Sequence, residues 1–322
     1  VKWIDGHLDL AYLAVSGRDL RVSCQVAEKG CVSLPALREA GVEIAFATIF
    51  TGPGEEGPVR YPTSDDLDAA EAAGLRQLQV YEKLESEGEL TIVRNLDDLM
   101  RDTPLPRVVL LMEGADPIRS PDHVQPWFER GLRMVGLTWH RGTRYAGGNG
   151  TGDSLTPIGV EMVRALDAAG LAHDASHLSD AALDGVLEHA TGRIVATHSN
   201  CRALLDENER HLRDGHIAAI VDRDGIVGLN LYSGFLSRSG RATIEDCIHH
   251  VEHICKLVGR RDAVALGSDM DGGFTPLDLP VDLDHPMKLD VLAEALRDRG
   301  WSDSDIAGFA HGNWRRFLEK LL

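Results

Sequence analysis

Trp3-Ile4-Asp5-Gly6-His7-Leu8-Asp9-Leu10 reads as an apolar strand that ends in His-x-Asp. Residues two apart on an extended strand point to the same face. His7 and Asp9 can therefore offer a nitrogen and an oxygen to one point in space, a donor pair suited to a divalent metal. Alone, such a dipeptide is more often a hydrogen-bonded pair at a strand end. Its meaning depends on whether later strands deliver matching side chains to the same spot.

Seven further β-rich apolar runs follow, at about 42–49, 107–113, 132–138, 171–175, 193–197, 225–231 and 263–268. Helical patterns lie between most of them. The longest, 64–87, has Ser64 as its expected N-cap, Asp65 and Asp66 in its first turn, and a stripe of Leu75, Leu78, Tyr81 and Leu84. Thr156-Pro157 reads as a cap followed by proline at the first helical position. Ser179 opens a helix to about Ala190, and 214–223, 243–258 and 286–299 follow. Ser302 with Asp305 is a near capping box for a helix to about Ala310, and a last amphipathic helix starts at Asn313. Strand alternating with helix implies a parallel sheet with crossovers. Eight such units imply a closed (β/α)8 TIM-like barrel, one domain over 1–322 with a C-terminal helix. The long loops at 51–63 and 140–155 are where substrate contacts are expected.

Composition narrows the function. The 322 residues are 43% apolar, and 51 acidic against 33 basic residues give a net charge of -18. Such a surface repels nucleic acid and anionic membranes. No apolar run is long enough to span a bilayer, so no membrane association is expected. Five cysteines, an odd number with no C-x-x-C pair, point to a reducing, cytoplasmic setting, with a Cys24–Cys31 bridge left open. No signal peptide stands in the sequence, and a start at Val leaves a removed leader open.

The strand ends carry the chemistry. After His7 and Asp9 come Glu113, Trp139-His140, Asp174-Ala175-Ser176-His177, Thr197-His198-Ser199, Asn230 with Tyr232 beyond it, and Gly267-Ser268-Asp269-Met270-Asp271-Gly272. In a barrel all these ends converge on one face. Two divalent ions about 3.5–4 Å apart can hold one hydroxide and polarise a carbonyl together. Many barrel hydrolases bridge such ions with a carbamylated lysine, but no lysine stands at a strand end here, which leaves Glu113 as the bridge. His7 and Asp9 would complete one metal and His177 and His198 the other, with Asp269 as proton shuttle and Asp271 as its rival. Blander readings stand beside these: Glu113 as a buried acid paired to an arginine, His177 and His198 as core histidines, Asp269 as a helix cap. His140 is open between pocket and surface, and Tyr232 reads as pocket lining. His173 is expected to point away from the site. His249, His250 and His253 read as a solvated helix face.

These residues resemble the membrane (renal) dipeptidases and their soluble bacterial relatives. The matching pieces are Asp5-Gly6-His7-Leu8-Asp9-Leu10, Glu113-Gly114, Leu137-Thr138, Ala175-Ser176-His177, Thr197-His198-Ser199, Gly267 to Gly272 and Gly312-Asn313-Trp314-Arg315-Arg316-Phe317, in family order over nearly the whole chain. The resemblance implies a barrel of the metallo-dependent hydrolase type that holds two Zn2+ and hydrolyses dipeptides. It further implies tolerance of a D-residue at the C-terminal position and a preference for a free α-carboxylate. By its place after the strand-6 histidine, Arg210 looks like the residue that binds that carboxylate, a group a planar guanidinium fits bidentately. One departure stands out. The best-known members place a histidine directly after Leu-Thr, whereas here Trp139 follows and His140 comes one place later.

The expected activity is thus a binuclear zinc dipeptidase acting through a metal-bridging hydroxide. Trp139, His140 and Tyr232 join Arg210 around a small dipeptide, and a homodimer is left open. The alternatives are another amide or lactam hydrolase on the same metals, such as an N-acyl amino acid deacylase, and a metal-binding protein without turnover.

Overall fold

The computed structural model describes residues 1–24, 30–54, 57–238 and 240–322. Eight parallel strands form the barrel: β1 (Trp3–Leu8), β2 (Val42–Phe50), β3 (Arg107–Glu113), β4 (Leu132–Gly136), β5 (Ala172–Asp174), β6 (Ile194–Val195), β7 (Val227–Leu229) and β8 (Val264–Leu266). Each pairs with the next in chain order. Ile4 faces Ile44, Phe50 faces Glu113, Glu113 faces Gly136, Val135 faces His173 and Asp174 faces Val195. A single parallel bridge from Ala196 to Val227 joins β6 to β7, and Leu229 faces Leu266 between β7 and β8.

The seam between β8 and β1 is different. Among the described residues it has no ladder. It is bridged where the strands end, by Asp269 N–H donating to His7 O at 3.1 Å and Ser268 N–H donating to Asp5 Oδ1 at 2.8 Å. The Leu266 carbonyl accepts from Trp314 Nε1 at 2.7 Å rather than from a β1 amide.

The strands are apolar on both faces because both are covered. One set, including Ile4, Phe46, Leu111, Met134 and Ala265, fills the barrel interior. Trp314, Phe317 and Leu318 of the last helix complete that cluster, so this helix closes the end at which the strands begin. Gly6 is required here. A Cβ on it would lie 2.8 Å from the Trp314 ring, 2.9 Å from Thr197 O and 3.0 Å from Leu266 O.

The outer layer includes α1 (Leu67–Ser86), α2 (Pro157–Ala168), α3 (Asp180–His189), α4 (Asp214–Val221), α5 (Ile244–Val258), α6 (Asp290–Asp298) and α7 (Asn313–Leu321). Thr156, Ser179 and Ser302 cap as the sequence predicts. The cap of α1 is Asp66 rather than Ser64: its side chain accepts from Ala69 N–H, and the chain ahead of it is taken up by a turn from Thr63. The two C-terminal helices are continuous. Asp303–Ala307 runs through a π segment, Gly308–Gly312, into α7. Such a turn rotates the following helix face, and Asn313 just after it donates to Val264 O at 2.8 Å. His250 also departs from expectation. It is buried, with Nδ1 accepting from Cys201 N–H at 3.1 Å and Nε2 facing Leu236 O at 3.2 Å. Cys24 and Cys31 are both free thiols. No described helix is long and apolar enough to cross a membrane.

Candidate metal centre

Five strand ends bring the expected donors together around Glu113, the last residue of β3. Its Oε1 lies 3.0 Å from His177 Nε2 and 3.5 Å from His198 Nε2, and its Oε2 lies 3.7 Å from His7 Nε2. His7 Nε2 is in turn 3.8 Å from Asp9 Oδ1 and 3.9 Å from Asp269 Oδ1. The Nε2 atoms of His177 and His198 are 3.0 Å apart, and the rings of His7 and His198 stack at 3.6 Å. His177 and Asp269 reach these places with φ of 66° and 59°, a left-handed backbone that costs an L-residue about 1 kcal/mol or more. Such strain persists where surrounding contacts fix the residue, and it clusters at functional sites.

The electrostatics suit a cation. Burial, then the Asp9 and Asp269 charges, raises the Glu113 carboxyl well above its usual range. Burial, then Asp9, does the same to Asp269. Burial pushes Asp9 up to about 6. Burial, with the charge of Arg210 behind it, lowers His7 to about 3, and burial holds His177 and His198 well below the ordinary imidazole value. The imidazoles are thus neutral lone-pair donors, facing carboxylates that repel one another. His7 Nδ1 and Glu113 Oε1 are buried without hydrogen-bond partners. Two overlapping groups, His7/Glu113/His198 and His7/Asp9/Asp269, each bring their donor atoms within 4.8 Å of one another. Neutral nitrogens and uncompensated oxygens at this spacing fit divalent ions.

A second ring of residues orients the donors, and most of it was not foreseen from the sequence. Asn149 Oδ1 lies 3.2 Å from His177 Nδ1, so that nitrogen carries the proton and Nε2 keeps its lone pair. Thr197 Oγ1 donates to Asp174 Oδ2 and lies 2.9 Å from His198 Nδ1, which fixes that tautomer as well. Asp174 is held by Ser176 N–H at 3.0 Å and Thr197 N–H at 2.9 Å. Thr48 Oγ1 donates to Asp9 Oδ1, and Asn230 Nδ2 donates to Asp269 Oδ2 at 2.9 Å. Asp174 and Asn230 stand at strand ends, positions that the sequence marks without assigning them a role. Asn149 sits in the glycine-rich loop that the sequence likewise marks.

Above the cluster opens a cavity of about 590 Å³. Trp139 and Tyr232 line it, with Tyr12, Phe50, Phe235 and Phe274 completing an aromatic wall. His140 does not line it. Its ring is exposed, fits against Gly150 and lies 3.2 Å from Asn149 Nδ2, because the turn closed by Gly142 N–H on Trp139 O carries it outward. Arg210 is buried beside the cluster and outside the lining. Its guanidinium donates to His198 O at 2.7 Å and Ser199 Oγ at 3.1 Å and stacks on Phe235 at 4.9 Å, while its Nε has no partner. Asp271 leaves the site to hold the segment after β1, accepting from Val32 N–H at 2.8 Å and pairing with Arg18. His173 also points away, its Nε2 2.7 Å from Asp167 Oδ1. Arg60, absent from the sequence reading, lines the cavity over the Trp139 ring at 4.5 Å.

The family described as membrane dipeptidase (peptidase family M19) matches residues 1–321. The chain belongs to that family. It is, with it, a metallo-dipeptidase. An uncharacterised protein from the pqqA 5' region of Klebsiella pneumoniae is 30% identical over 263 residues, 76% of this chain and 95% of that protein. Dipeptidase 3 of Rattus norvegicus is 26% identical and covers 99% of this chain, which spans 64% of that protein. Among solved structures, a metallopeptidase from Rhodobacter sphaeroides bound to a phosphinate mimic of L-Ala-D-Ala superposes with a TM-score of 0.85 at 24% identity, covering 100% of this chain and 99% of its own. A dipeptidase of family M19 gives 0.84 at 25% identity, covering 99% and 98%. These likenesses agree with the barrel and the family resemblance read from the sequence.

Proposed function

We propose that this protein is a binuclear zinc dipeptidase that cleaves L-Xaa-L-Xaa and L-Xaa-D-Xaa dipeptides carrying a free C-terminal carboxylate. The observation that carries this reading is the position of Glu113, whose two oxygens lie 3.0–3.7 Å from the Nε2 atoms of three neutral histidines. His7 and Asp9 would hold one ion and His177 and His198 the other, with Glu113 between them. When bound, the two ions polarise the scissile carbonyl and lower the pKa of a water to supply a nucleophile at neutral pH.

The chain's own residues do the rest. Asp269 opens onto the cavity, with Oδ2 held by Asn230 and Oδ1 facing His7. It accepts the proton lost by the nucleophile and passes it to the departing amine. Arg210 places positive charge beside Asp269 and Glu113, and its unpartnered Nε is the donor kept for the substrate carboxylate. An aromatic wall of this kind would limit bulk water around a bound dipeptide and so strengthen each polar contact inside. Five free thiols support a reducing, cytoplasmic setting.

The test is a turnover screen of the zinc-loaded protein against dipeptides, their C-terminal amides and N-acyl amino acids, with metal content measured on the same sample. Dipeptides preferred over their amides, with two ions per chain, is the expected result. Preference for N-acyl amino acids would move the activity to a deacylase. Fewer than one ion per chain and no turnover would overturn the reading.

A further inference from the structure

We propose that Arg60 forms a second carboxylate subsite, which selects dipeptides bearing an aspartyl or glutamyl side chain. The proposal rests on the dipeptidase reading above.

The cavity wall is aromatic, its floor is the cluster of acids and histidines, and Arg60 is the one cation among its described lining residues. Arg60 forms no ion pair with any described residue. Its guanidinium instead stacks over Trp139 at 4.5 Å and lies 5.3 Å from the Phe50 ring centroid. Stacking fixes the plane of the fork and leaves its edge N–H groups free, the arrangement in which arginine reads a carboxylate. An arginine held in an aromatic pocket without an ion pair to any described residue is notable in a chain of net charge -18.

The loop is built to hold it there. Gly52 and Arg60 face each other in a short parallel pair, Gly52–Pro53 with Arg60–Tyr61. A Cβ at position 52 would lie 2.7 Å from the Arg60 guanidinium, so glycine makes the room. Tyr61 Oη donates to the buried Asp116 at 2.7 Å, and Arg76 donates to Pro58 O at 3.0 Å. Arg60 is therefore positioned before any ligand arrives, which lowers the entropy cost of binding.

Position decides which carboxylate it takes. The Trp139 ring adjoins both Arg60, whose Cζ is 4.5 Å from its centroid, and the His177 ring, whose centroid is 6.3 Å from it. A dipeptide backbone extends only about 7 Å. With the α-carboxylate assigned to Arg210 beside the cluster, Arg60 stands at side-chain reach from the scissile bond.

The experiment compares kcat/KM of the zinc-loaded enzyme for the isosteric pairs L-Ala-L-Glu against L-Ala-L-Gln and L-Glu-L-Ala against L-Gln-L-Ala, with L-Ala-L-Ala as control. We expect the acid to be preferred on the order of tenfold in one pair, which also tells which residue of the dipeptide faces Arg60. Arg60→Gln should collapse that ratio to about one, mainly through KM, and Arg60→Lys should retain part of it. A ratio near one in the wild type, or a ratio unchanged in Arg60→Gln, overturns the proposal. Calorimetric titration of the same four dipeptides into the zinc-loaded Asp269→Asn protein reads the subsite without turnover. Hydrolysis of L-Ala-L-Ala without acid preference defeats the Arg60 subsite alone. Failure to cleave any dipeptide defeats the dipeptidase reading, and the titration then decides the subsite by itself.

Discussion

Asn149 Oδ1 sits 3.2 Å from His177 Nδ1, while the amide nitrogen of the same side chain faces His140 Nδ1 at 3.2 Å. A loop residue thereby sets which ring nitrogen of His177 keeps its lone pair on the side facing Glu113. Outer partners of this kind typically contribute 10–100-fold to metal affinity. Asn149→Ala should therefore weaken zinc by about tenfold or more in chelator competition. Asn149→Asp, which keeps the acceptor, should lose much less. Equal affinity in Asn149→Ala and wild type would remove the orienting role.

Asp269→Asn keeps the shape and the bond from Asn230 but loses the basic oxygen. On the proposed two-metal mechanism the variant should keep the wild-type metal content, retain KM within a few-fold, and lose about 10²–10⁴ in kcat. Metal analysis and steady-state kinetics on one preparation check this, and full activity would sink the shuttle assignment.

Metal removal should destabilise the fold. Asp9, Glu113 and Asp269 would then face one another in a buried site with Arg210 alone as a nearby described counter-charge. Chelation should lower Tm by on the order of 5–10 °C, restored by added zinc. An unchanged Tm would mean that the donors are comfortable alone.

Gly6→Ala tests closure of the barrel. The added methyl meets the Trp314 ring and two carbonyls at 3.0 Å or less, and those backbone atoms cannot easily retreat. A loss of about 1–3 kcal/mol or more is expected in denaturant unfolding. Trp314→Ala should cost about 3–5 kcal/mol by emptying the same place. A neutral Gly6→Ala would show that the last helix can shift.

A pH effect is expected away from the metals. Burial raises the Asp167 carboxyl, but bonds from His173 and from Thr191 N–H outweigh it and hold the group at about 2. A carboxyl lowered in the folded state stabilises above its unfolded value of about 4, and that stability is lost as pH falls through about 2. Discounted for partial exposure, the contribution is about 1 kcal/mol. Asp167→Asn should thus unfold earlier than wild type at pH 7 and converge with it near pH 2. A gap that does not narrow on acidification would rule this out.

What could be read from the sequence follows from how far each feature reaches along the chain. His7, Glu113, His177, His198 and Asp269 could be found because each ends a local apolar run, and parallel closure brings such ends together. Arg60 could not be found, because its place depends on a loop folding back to pair with Gly52. His140, open between pocket and surface in the sequence, lies on the surface because a turn after Trp139 swings it outward, a rotation that alternation along a strand does not encode. His250 was misread because its partner, the Cys201 amide, lies 49 residues away. Ser64 and Asp66 are both good caps, and only the turn from Thr63 decides between them.

The seam between β8 and β1 has a mechanical meaning. A hoop under load yields where its circumference is least bonded. Seven of the eight joints in this ring are ladders or backbone bridges, and the eighth is held by one backbone bond and one carboxylate clasp at its rim. That joint ends at His7 and Asp269, which stand 3.9 Å apart. The barrel's least bonded joint among the described residues therefore lies at the gap between His7, the proposed metal donor, and Asp269, the proposed proton carrier. A widening of the ring at that joint would lengthen the distance between those two side chains.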